Sequence, residues 1–257
     1  MKISISIVTY NNSKVIKKCI NSIFNVTNNI DFEIIVVDNN SSDSTASIIE
    51  KDFKKVRLIK NNRNIGFGAA HNIAINVGRG KYHLVLNPDI IFVENSLKKL
   101  INFMDENYNI GLISPKILLS NGSIQYLCRR LPSLFGFIII RFMPKFIRRF
   151  FQARIDYYEM RETGYNKIMD VLFLTGAFML IRSSVLDKVG GFDENFFMYF
   201  EDIDLCRRIQ KISRTVFYPY TSVIHLWEGG TRKNFQLLLI SIRSAIYYFS
   251  KWGWKLF

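Results

Sequence analysis

The sequence predicts an α/β fold in which a mainly parallel sheet is flanked by helices, and three observations support this prediction. Short apolar runs rich in β-branched residues alternate with segments whose apolar residues recur at helical spacing. The apolar runs end in polar turns, and repeated strand, turn and helix units are typical of parallel sheets with right-handed crossovers. With 257 residues, of which 49% are hydrophobic, the chain can bury one substantial core, and we expect one elaborated domain.

Two strand and helix units open the chain. Residues 3–8 form a predicted strand that ends at Thr9 and Tyr10, and the next segment has apolar side chains at helical spacing. Residues 32–37 form a second, nearly all-apolar strand, which ends at Asp38 before another predicted helix. The Asp38 carboxylate can accept hydrogen bonds from a base or a ribose, and a helix cap or an Asx turn is the alternative.

The third unit contains two glycines between a strand and a helix. A strand over residues 56–59 is followed by a polar loop, by Gly66 and Gly68, and by a helix over residues 69–77. Glycines let a backbone approach a ligand closely, but His71 stands where a GxGxxG motif needs its third glycine. The sequence therefore disfavours a Rossmann dehydrogenase.

The fourth strand, residues 82–86, ends at Asn87, Pro88 and Asp89. Asp89 offers a hard oxygen ligand, and Mg²⁺ or Mn²⁺ needs only one or two protein carboxylates when a diphosphate supplies further oxygens. An ordinary β-turn is the alternative. Because ligands bind beyond the carboxyl ends of parallel strands, we expect the polar residues from Thr9 to Asp89 that end these strands to share one edge of the sheet.

An acidic cluster marks the second half of the chain. Glu201, Asp202 and Asp204 fall within four positions, and charges so close together need a cation, an arginine or a shared proton. Arg207 and Arg208 follow one turn later, so a solvated, salt-bridged helix start is one interpretation. The flanking aromatic residues favour a partly buried site that raises a carboxylate pKa.

Three other segments complete the second half. Residues 171–181 resemble a strand that is interrupted at Gly176. A strand over residues 222–224 ends at His225, which is either a structural histidine or a metal ligand. Residues 235–257 are predicted to form an amphipathic helix with a Trp-rich tail.

The formal net charge is +14 and the sequence pI is about 9.7, which indicates attraction to an anionic partner. Residues 128–161 carry eight Arg or Lys against two acidic residues, interleaved with aromatic side chains, which favours an anionic membrane surface. A nucleic acid is disfavoured because no recognised binding motif accompanies this stretch. Trp252 and Trp254 also favour a membrane contact, with burial against the domain or a homodimer contact as alternatives.

The sequence also predicts a location. No apolar stretch approaches the roughly 18 to 20 residues that cross a bilayer. Cys19, Cys128 and Cys206 are odd in number and form no CxxC pair, which fits a reducing compartment. The N-terminus resembles a first strand rather than a signal peptide. We therefore expect a cytoplasmic protein that lies on the inner face of the cytoplasmic membrane.

Taken together, these motifs resemble the family 2 glycosyltransferases of the GT-A fold, and in particular their bacterial rhamnosyl- and galactofuranosyltransferase-like branch. The resemblance extends to about Trp227. It rests on residues 6–11, 36–43, 64–72, 86–89, 175–178 and 191–197.

The resemblance implies a role for each site residue. Asp89 would bind a divalent cation, Mn²⁺ or Mg²⁺, with His225; Asn87 replaces the first aspartate of the family's motif, which leaves fewer anionic ligands. Asp202 would be the general base, with Glu201 as the alternative and Asp204 as support, and Trp227 would be an acceptor platform or a core residue. The residues that would bind the nucleotide sugar are Thr9, Tyr10, Asp38, Gly66, Gly68, Asn72 and Asn87.

The implied activity is an inverting transfer from a nucleotide-diphosphate sugar to a hydroxyl group of a saccharide. dTDP-rhamnose is the favoured donor, with UDP-linked sugars next, and a lipid-linked surface polysaccharide is the expected acceptor. A nucleotidyltransferase and a nucleic-acid-binding α/β protein are the rival functions. The expected catalytic domain covers residues 1–230, with a nucleotide-sugar-binding half (1–110) and an acceptor half (111–230), and residues 231–257 form a separate helix.

Overall fold

The computed structural model describes residues 2–27, 30–226 and 235–257. Strands and helices alternate from Ile3 to Leu86, as the sequence predicts, and a short strand that the sequence analysis did not predict follows at residues 90–92. In chain order the elements are β1 (Ile3–Thr9), α1 (Ile16–Val26), β2 (Phe32–Asp38), α2 (Thr45–Asp52), β3 (Arg57–Lys60), α3 (Phe67–Val77), β4 (Tyr82–Leu86), β5 (Ile90–Phe92), α4 (Ser96–Glu106), β6 (Ile110–Leu119), β7 (Cys128–Arg129), α5 (Leu134–Phe142), α6 (Lys145–Arg148), α7 (Gln152–Tyr158), β8 (Met169–Asp170), β9 (Phe173–Leu174), β10 (Phe178–Arg182), α8 (Ser183–Val189), α9 (Glu201–Ile209), β11 (Arg214–His225) and α10 (Phe235–Trp252).

Within the described residues, the main sheet has nine strands in the order β3-β2-β1-β4-β10-β6-β11-β5, and β8 pairs with β11. The first four strands are parallel, as predicted. The second half is mixed, because β10 runs antiparallel between β4 and β6 and β5 runs antiparallel to β11. Since β5 of the first half pairs with β11 of the second, the two predicted halves share one sheet.

The central strands are buried on both faces. Alternate side chains of β4 show this: Leu84 and Leu86 pack in one apolar cluster with α1, whereas Val85 packs in a second cluster with α9 and α10. Such double coverage explains why β2 and β4 are almost continuously apolar. In β1, which alternates Ile and Ser, the buried Ser4 and Ser6 hydroxyls form hydrogen bonds with Glu33 and His71. Thr9 and Asp38 stand at the ends of β1 and β2, where the site lies.

The C-terminal helix α10 packs on the domain. Its inner face buries Ala245, Tyr248 and Phe249, and its outer face exposes Leu239 and Ile246. Burial against the domain, one of the alternatives left open by the sequence, therefore accounts for the inner face. Within the ranges that the structure describes, no helix combines the length and apolar composition needed to span a membrane.

Residues 134–158 form a layer of short helices, α5 to α7, outside the main sheet. This layer exposes four aromatic side chains, Phe142, Phe146, Phe150 and Tyr157, which are 48%, 66%, 85% and 61% accessible. The last residues of the chain fasten to it, because the backbone N–H groups of Leu134 and Phe135 donate to the carbonyls of Lys255 and Leu256.

Candidate active site

The ends of β1 and β2 bring Thr9 and Asp38 together. The two residues are register partners, and Thr9 Oγ1 donates to Asp38 Oδ1 at 2.9 Å. The Ser41 N–H donates to Asp38 Oδ2 at 3.0 Å, and the Ser41 hydroxyl donates to Oδ1. Asp38 is thus a buried turn-forming carboxylate, the alternative that the sequence left open, while Tyr10 lies beside it with half of its surface exposed. A nucleoside contact of these residues stays a prediction.

Gly66 and Gly68 approach the protein itself very closely. A Cβ atom on Gly66 would lie 2.2 Å from the Phe197 carbonyl oxygen, and one on Gly68 would lie 2.9 Å from the Phe192 side chain. The φ angle of Gly66 is 95°, a conformation that favours glycine. Both glycines therefore have a packing role that the sequence analysis missed, because they bring α3 against the loop that precedes the acidic pair.

Asn72 fixes the same loop through its side chain. Its Nδ2 donates to the Phe192 carbonyl and to Glu194 Oε1, both at 2.9 Å, and its Oδ1 accepts from the Phe192 N–H at 2.8 Å. The amide is buried and has protein partners at both ends. The structure gives this side chain a positioning role, and the sequence carried no signal for it.

Asp89 and His225 meet across the end of the sheet, although 136 residues separate them. Asp89 Oδ1 lies 3.1 Å from His225 Nε2, and the opposite ring nitrogen, Nδ1, lies 2.7 Å from Gln125 Oε1. The Leu226 N–H also donates to the Asp89 carbonyl at 2.9 Å. Sequence reasoning predicted the pair but missed Gln125, whose surroundings contain no recognisable motif.

These residues fit a divalent cation. A carboxylate is a ligand for Mn²⁺ or Mg²⁺, and an imidazole beside it favours the transition metal Mn²⁺ over Mg²⁺. A histidine ligand ordinarily has a partner on its second nitrogen, as Gln125 provides here. Among the described residues, no three His, Cys, Asp or Glu side chains form a group that could hold a metal. Binding would therefore depend on oxygens of a diphosphate. The backbone N–H of Asn87, which precedes Asp89 by two residues, donates a hydrogen bond to the Ala177 carbonyl at 3.0 Å.

The acidic pair lies at the start of α9. Asp202 accepts hydrogen bonds from the Gly176 N–H at 3.0 Å and from the Ile203 N–H at 2.9 Å. Burial raises the pKa of Asp202, while these two donors and the Arg129 guanidinium oppose the rise. Burial, and then the charge of Asp202, raises the pKa of Glu201 well above its usual range.

The surroundings of Glu201 and Asp202 thus favour different protonation states of the two carboxyl groups. Glu201 Oε2 is buried without a hydrogen-bond partner among the described residues, which favours the neutral acid. Asp202 has backbone donors on both oxygens and a nearby cation, which favour the carboxylate. When the pair carries one negative charge, that charge resides on Asp202.

A turn with a strained backbone comes directly before Glu201 and Asp202 and sets the direction of their side chains. Tyr199 and Phe200 both have positive φ angles, 70° and 68°, which bulky side chains rarely adopt. Asp204, in contrast, is fully buried and saturated by donors from Arg208, Lys251 and Trp252. It belongs to the packing of α10 on α9 rather than to the reacting surface.

A large cavity of about 1220 Å³ opens beside the acidic pair. Glu201 and Asp202 line it together with Gln125, the partner of His225. Residues 130–141 and α7 form much of the remaining wall. The cavity therefore extends from the candidate base to Gln125, the partner of His225, whereas Asp89 and His225 themselves do not line it.

Comparison with known proteins identifies the family. A profile described as "Glycosyl transferase family 2" matches residues 4–190. The chain belongs to this family. Its sequence features, its mixed sheet and its family membership together make it a glycosyltransferase of the GT-A fold.

Two curated relatives of this family 2 glycosyltransferase are rhamnosyltransferases. The N-acetylglucosaminyl-diphospho-decaprenol L-rhamnosyltransferase of Mycobacterium tuberculosis is 28% identical over 234 residues, which cover 84% of this chain and 73% of the relative. Rhamnosyltransferase WbbL of Escherichia coli is 31% identical over 179 residues, which cover 66% of this chain and 64% of WbbL.

Solved structures show the same fold. S. aureus TarS 1–349 superposes with a TM-score of 0.62 at 21% identity, over 95% of this chain and 65% of the TarS chain. TarS 1–349 in complex with UDP-GlcNAc also gives a TM-score of 0.62, at 20% identity over 95% of this chain and 66% of that chain. Trp227, the predicted acceptor platform, lies outside the described residues.

Proposed function

We propose that the protein is an inverting glycosyltransferase that moves a sugar from a nucleotide-diphosphate donor to a hydroxyl group of a lipid-linked saccharide. One observation carries the proposal: a single cavity is lined by the acidic pair and by Gln125, which holds the histidine beside Asp89. The candidate base and the proposed metal site therefore adjoin, and an acceptor in the cavity can meet a donor held at Asp89.

In the proposed reaction, the acceptor hydroxyl gives its proton to Asp202 as its oxygen bonds to the anomeric carbon. The bond from that carbon to the diphosphate oxygen breaks, and the nucleoside diphosphate leaves with the electron pair. Asp202 suits this role because the negative charge of the pair resides on it, whereas Glu201 suits the role of its neutral neighbour.

Asp89 and His225 would hold a divalent cation with Gln125 behind the imidazole. When bound, such a cation neutralises charge that develops on the leaving diphosphate. Thr9, Tyr10 and Asp38 would contact the nucleoside at the ends of β1 and β2.

The relatives support a choice of donor and acceptor. dTDP-rhamnose is the first donor to test, because both curated relatives are named rhamnosyltransferases, and UDP sugars come next because TarS has been solved with UDP-GlcNAc. The name of the M. tuberculosis relative contains a diphospho-decaprenol acceptor, which supports a lipid-linked acceptor here.

The decisive experiment measures transfer from a panel of nucleotide sugars to a lipid-linked N-acetylglucosamine acceptor. Asp202→Asn should lower kcat by about 10²- to 10⁴-fold, the usual contribution of a positioned base, and Glu201→Gln should have a smaller effect. Asp170→Asn, which removes an exposed carboxylate on β8, is the matched control and should retain full turnover. Normal turnover of Asp202→Asn would refute the assignment of the base.

A thermal-shift screen separates the rival functions. Nucleoside diphosphates and nucleotide sugars should raise the melting temperature, and Mn²⁺ should enhance their effect. Stabilisation by oligonucleotides alone would favour a nucleic-acid-binding protein, and stabilisation by nucleoside triphosphates alone would favour a nucleotidyltransferase.

We also propose that the α5 to α7 layer rests on an anionic membrane on its cytoplasmic face, because Phe142, Phe146 and Phe150 project into solvent within a basic stretch. Replacing Phe146 and Phe150 together with serine should reduce co-sedimentation with vesicles that contain phosphatidylglycerol. Tyr108→Ser, which removes an exposed aromatic side chain after α4, should leave sedimentation unchanged. Equal sedimentation of all three proteins would contradict membrane contact through this layer.

A further inference from the structure

The cavity beside the acidic pair contains cations that no carboxylate neutralises. Arg141 and Arg154 line it and have no ion pair with any residue that the structure describes. Two other arginines of the same wall differ, because Arg130 pairs with Glu162 and Arg161 pairs with acidic neighbours of its own segment. The cavity therefore keeps a local excess of positive charge.

The unpaired arginines are also poorly hydrogen-bonded. Nε and Nη2 of Arg141 are buried and have no hydrogen-bond partner within the described part of the chain. Arg154 donates one weak hydrogen bond, from Nη2 to Ser133 Oγ at 3.3 Å, and its guanidinium lies 5.3 Å from the ring centre of Phe135. Buried donors without acceptors cost free energy, so these guanidinium groups are prepared for an anionic ligand with several oxygens.

The arginines are close to the reacting carboxyl groups. The Arg141 guanidinium lies 5.8 Å from the ring centre of Tyr199, which stands two residues before Glu201. The Tyr199 hydroxyl and Glu201 Oε2 are themselves buried and have no hydrogen-bond partner among the residues that the structure describes. An anion bound by Arg141 would therefore present its neighbouring groups to the acidic pair.

Apolar side chains of α5 form part of the remaining wall and lead outward. Phe137, Ile139 and Ile140 line the cavity, and Phe142, two residues further along α5, is 48% exposed. Cations next to an apolar path suit a ligand whose phosphate carries a hydrocarbon chain.

We propose that Arg141 and Arg154 bind the phosphate or diphosphate of the acceptor, so that its sugar reaches Asp202 and its hydrocarbon chain leaves along α5. This inference rests on the proposed function, since it names the chemistry of the acceptor. The diphosphate of the donor is the other source of the same chemistry. The acceptor is favoured because Thr9, Asp38 and Asp89, at the predicted donor edge, do not line this cavity.

The test compares two acceptors that carry the same sugar. One is N-acetylglucosaminyl diphosphate on a farnesyl chain, and the other is the octyl glycoside, which has no phosphate. Arg141→Gln and Arg154→Gln should each raise KM for the diphosphate acceptor by about 10- to 100-fold, the range of a lost charge-assisted hydrogen bond. KM for the octyl glycoside and for the nucleotide sugar should not change.

Two further variants sharpen the test. Arg141→Lys keeps the charge but loses the guanidinium fork, so it should lie between the wild type and Arg141→Gln. Arg57→Gln removes an exposed arginine from β3 and should match the wild type with both acceptors. An equal rise of KM for both acceptors, or a rise for the nucleotide sugar alone, would overturn the proposal.

Calorimetry separates this inference from the proposed reaction. Farnesyl diphosphate should bind the wild type more tightly than farnesol, and Arg141→Gln should remove the difference. If no nucleotide sugar is turned over but this difference is present, the reaction is wrong and the phosphate site stands. If transfer occurs and the difference is absent, the phosphate site is wrong.

Discussion

Asp204 allows a quantitative test of how α10 is held against the acidic helix. Its carboxylate is fully buried and accepts from Arg208 Nε, Lys251 Nζ and Trp252 Nε1, each at 2.8 Å. Asp204→Asn removes the negative charge and leaves the Arg208 and Lys251 cations without this anionic partner. Breaking a buried ion pair costs about 3 to 5 kcal/mol.

The surroundings place the expected loss at the lower end of that range. The Lys251 and Arg208 side chains are 29% and 18% exposed, so water compensates in part. Lys251 also keeps Asp193 at 2.6 Å, and Arg208 Nη1 keeps the Val189 carbonyl at 2.7 Å. We expect Asp204→Asn to lower the free energy of unfolding by about 3 kcal/mol.

Urea unfolding followed by circular dichroism measures this loss. Asp170→Asn is the control, because its ion pair with Arg214 is on the surface, with side chains 65% and 44% exposed, and should contribute at most about 1 kcal/mol. A loss below about 1 kcal/mol for Asp204→Asn, with an unchanged m-value, would refute the reasoning that this buried network fastens α10.

Three further predictions concern the site. Arg129→Gln removes a cation that favours the ionised form of Asp202, so the pKa of this proposed base should rise further. The acid limb of the kcat/KM profile should then lie at a higher pH than in the wild type, and superimposable pH profiles would contradict this. Gly66→Ala should destabilise the protein by more than about 2 kcal/mol in urea unfolding, since the new methyl group meets a backbone carbonyl, whereas Gly122→Ala, with a similar φ of 81° but open space, should cost about 1 kcal/mol; equal losses would show that φ alone matters. Gln125→Leu should weaken Mn²⁺ binding in the presence of UDP by about 10- to 100-fold in calorimetry, and unchanged affinity would remove Gln125 from the metal site.

The first half of the fold was predictable because its signals are local. Strands β1 and β2 each show β-branched residues, a polar end and a following helix in one short stretch of sequence, and β4 shows the apolar run and the polar end. The edge that gathers Thr9 and Asp38 follows from parallel pairing alone. The contact between Asp89 and His225 was predictable only through the family resemblance.

The second half depends on pairings that local patterns do not encode. Strand β10 enters the sheet antiparallel to β4, a strand more than ninety positions earlier, and no periodicity specifies that neighbour. Gln125 and Asn72 are ordinary polar residues in the sequence, and their roles arise from partners 100 and 120 residues away. From the sequence, the arginines that line the cavity could be recognised only as part of a basic, aromatic stretch, and not as the wall of a cavity.

The turn at Tyr199 and Phe200 has a consequence for protein engineering. Two adjacent bulky residues with φ near 70° store conformational strain, about 1 to 3 kcal/mol at each position. Glycine at Phe200 would relieve that strain but would also remove a ring that packs 5.1 Å from Tyr248 and 5.7 Å from Phe137, and truncating a packed phenylalanine costs about 3 to 5 kcal/mol. A screen for thermostability should therefore keep an aromatic residue at position 200, because the packing of this ring holds the strained turn in place and with it the direction of the carboxylates that follow.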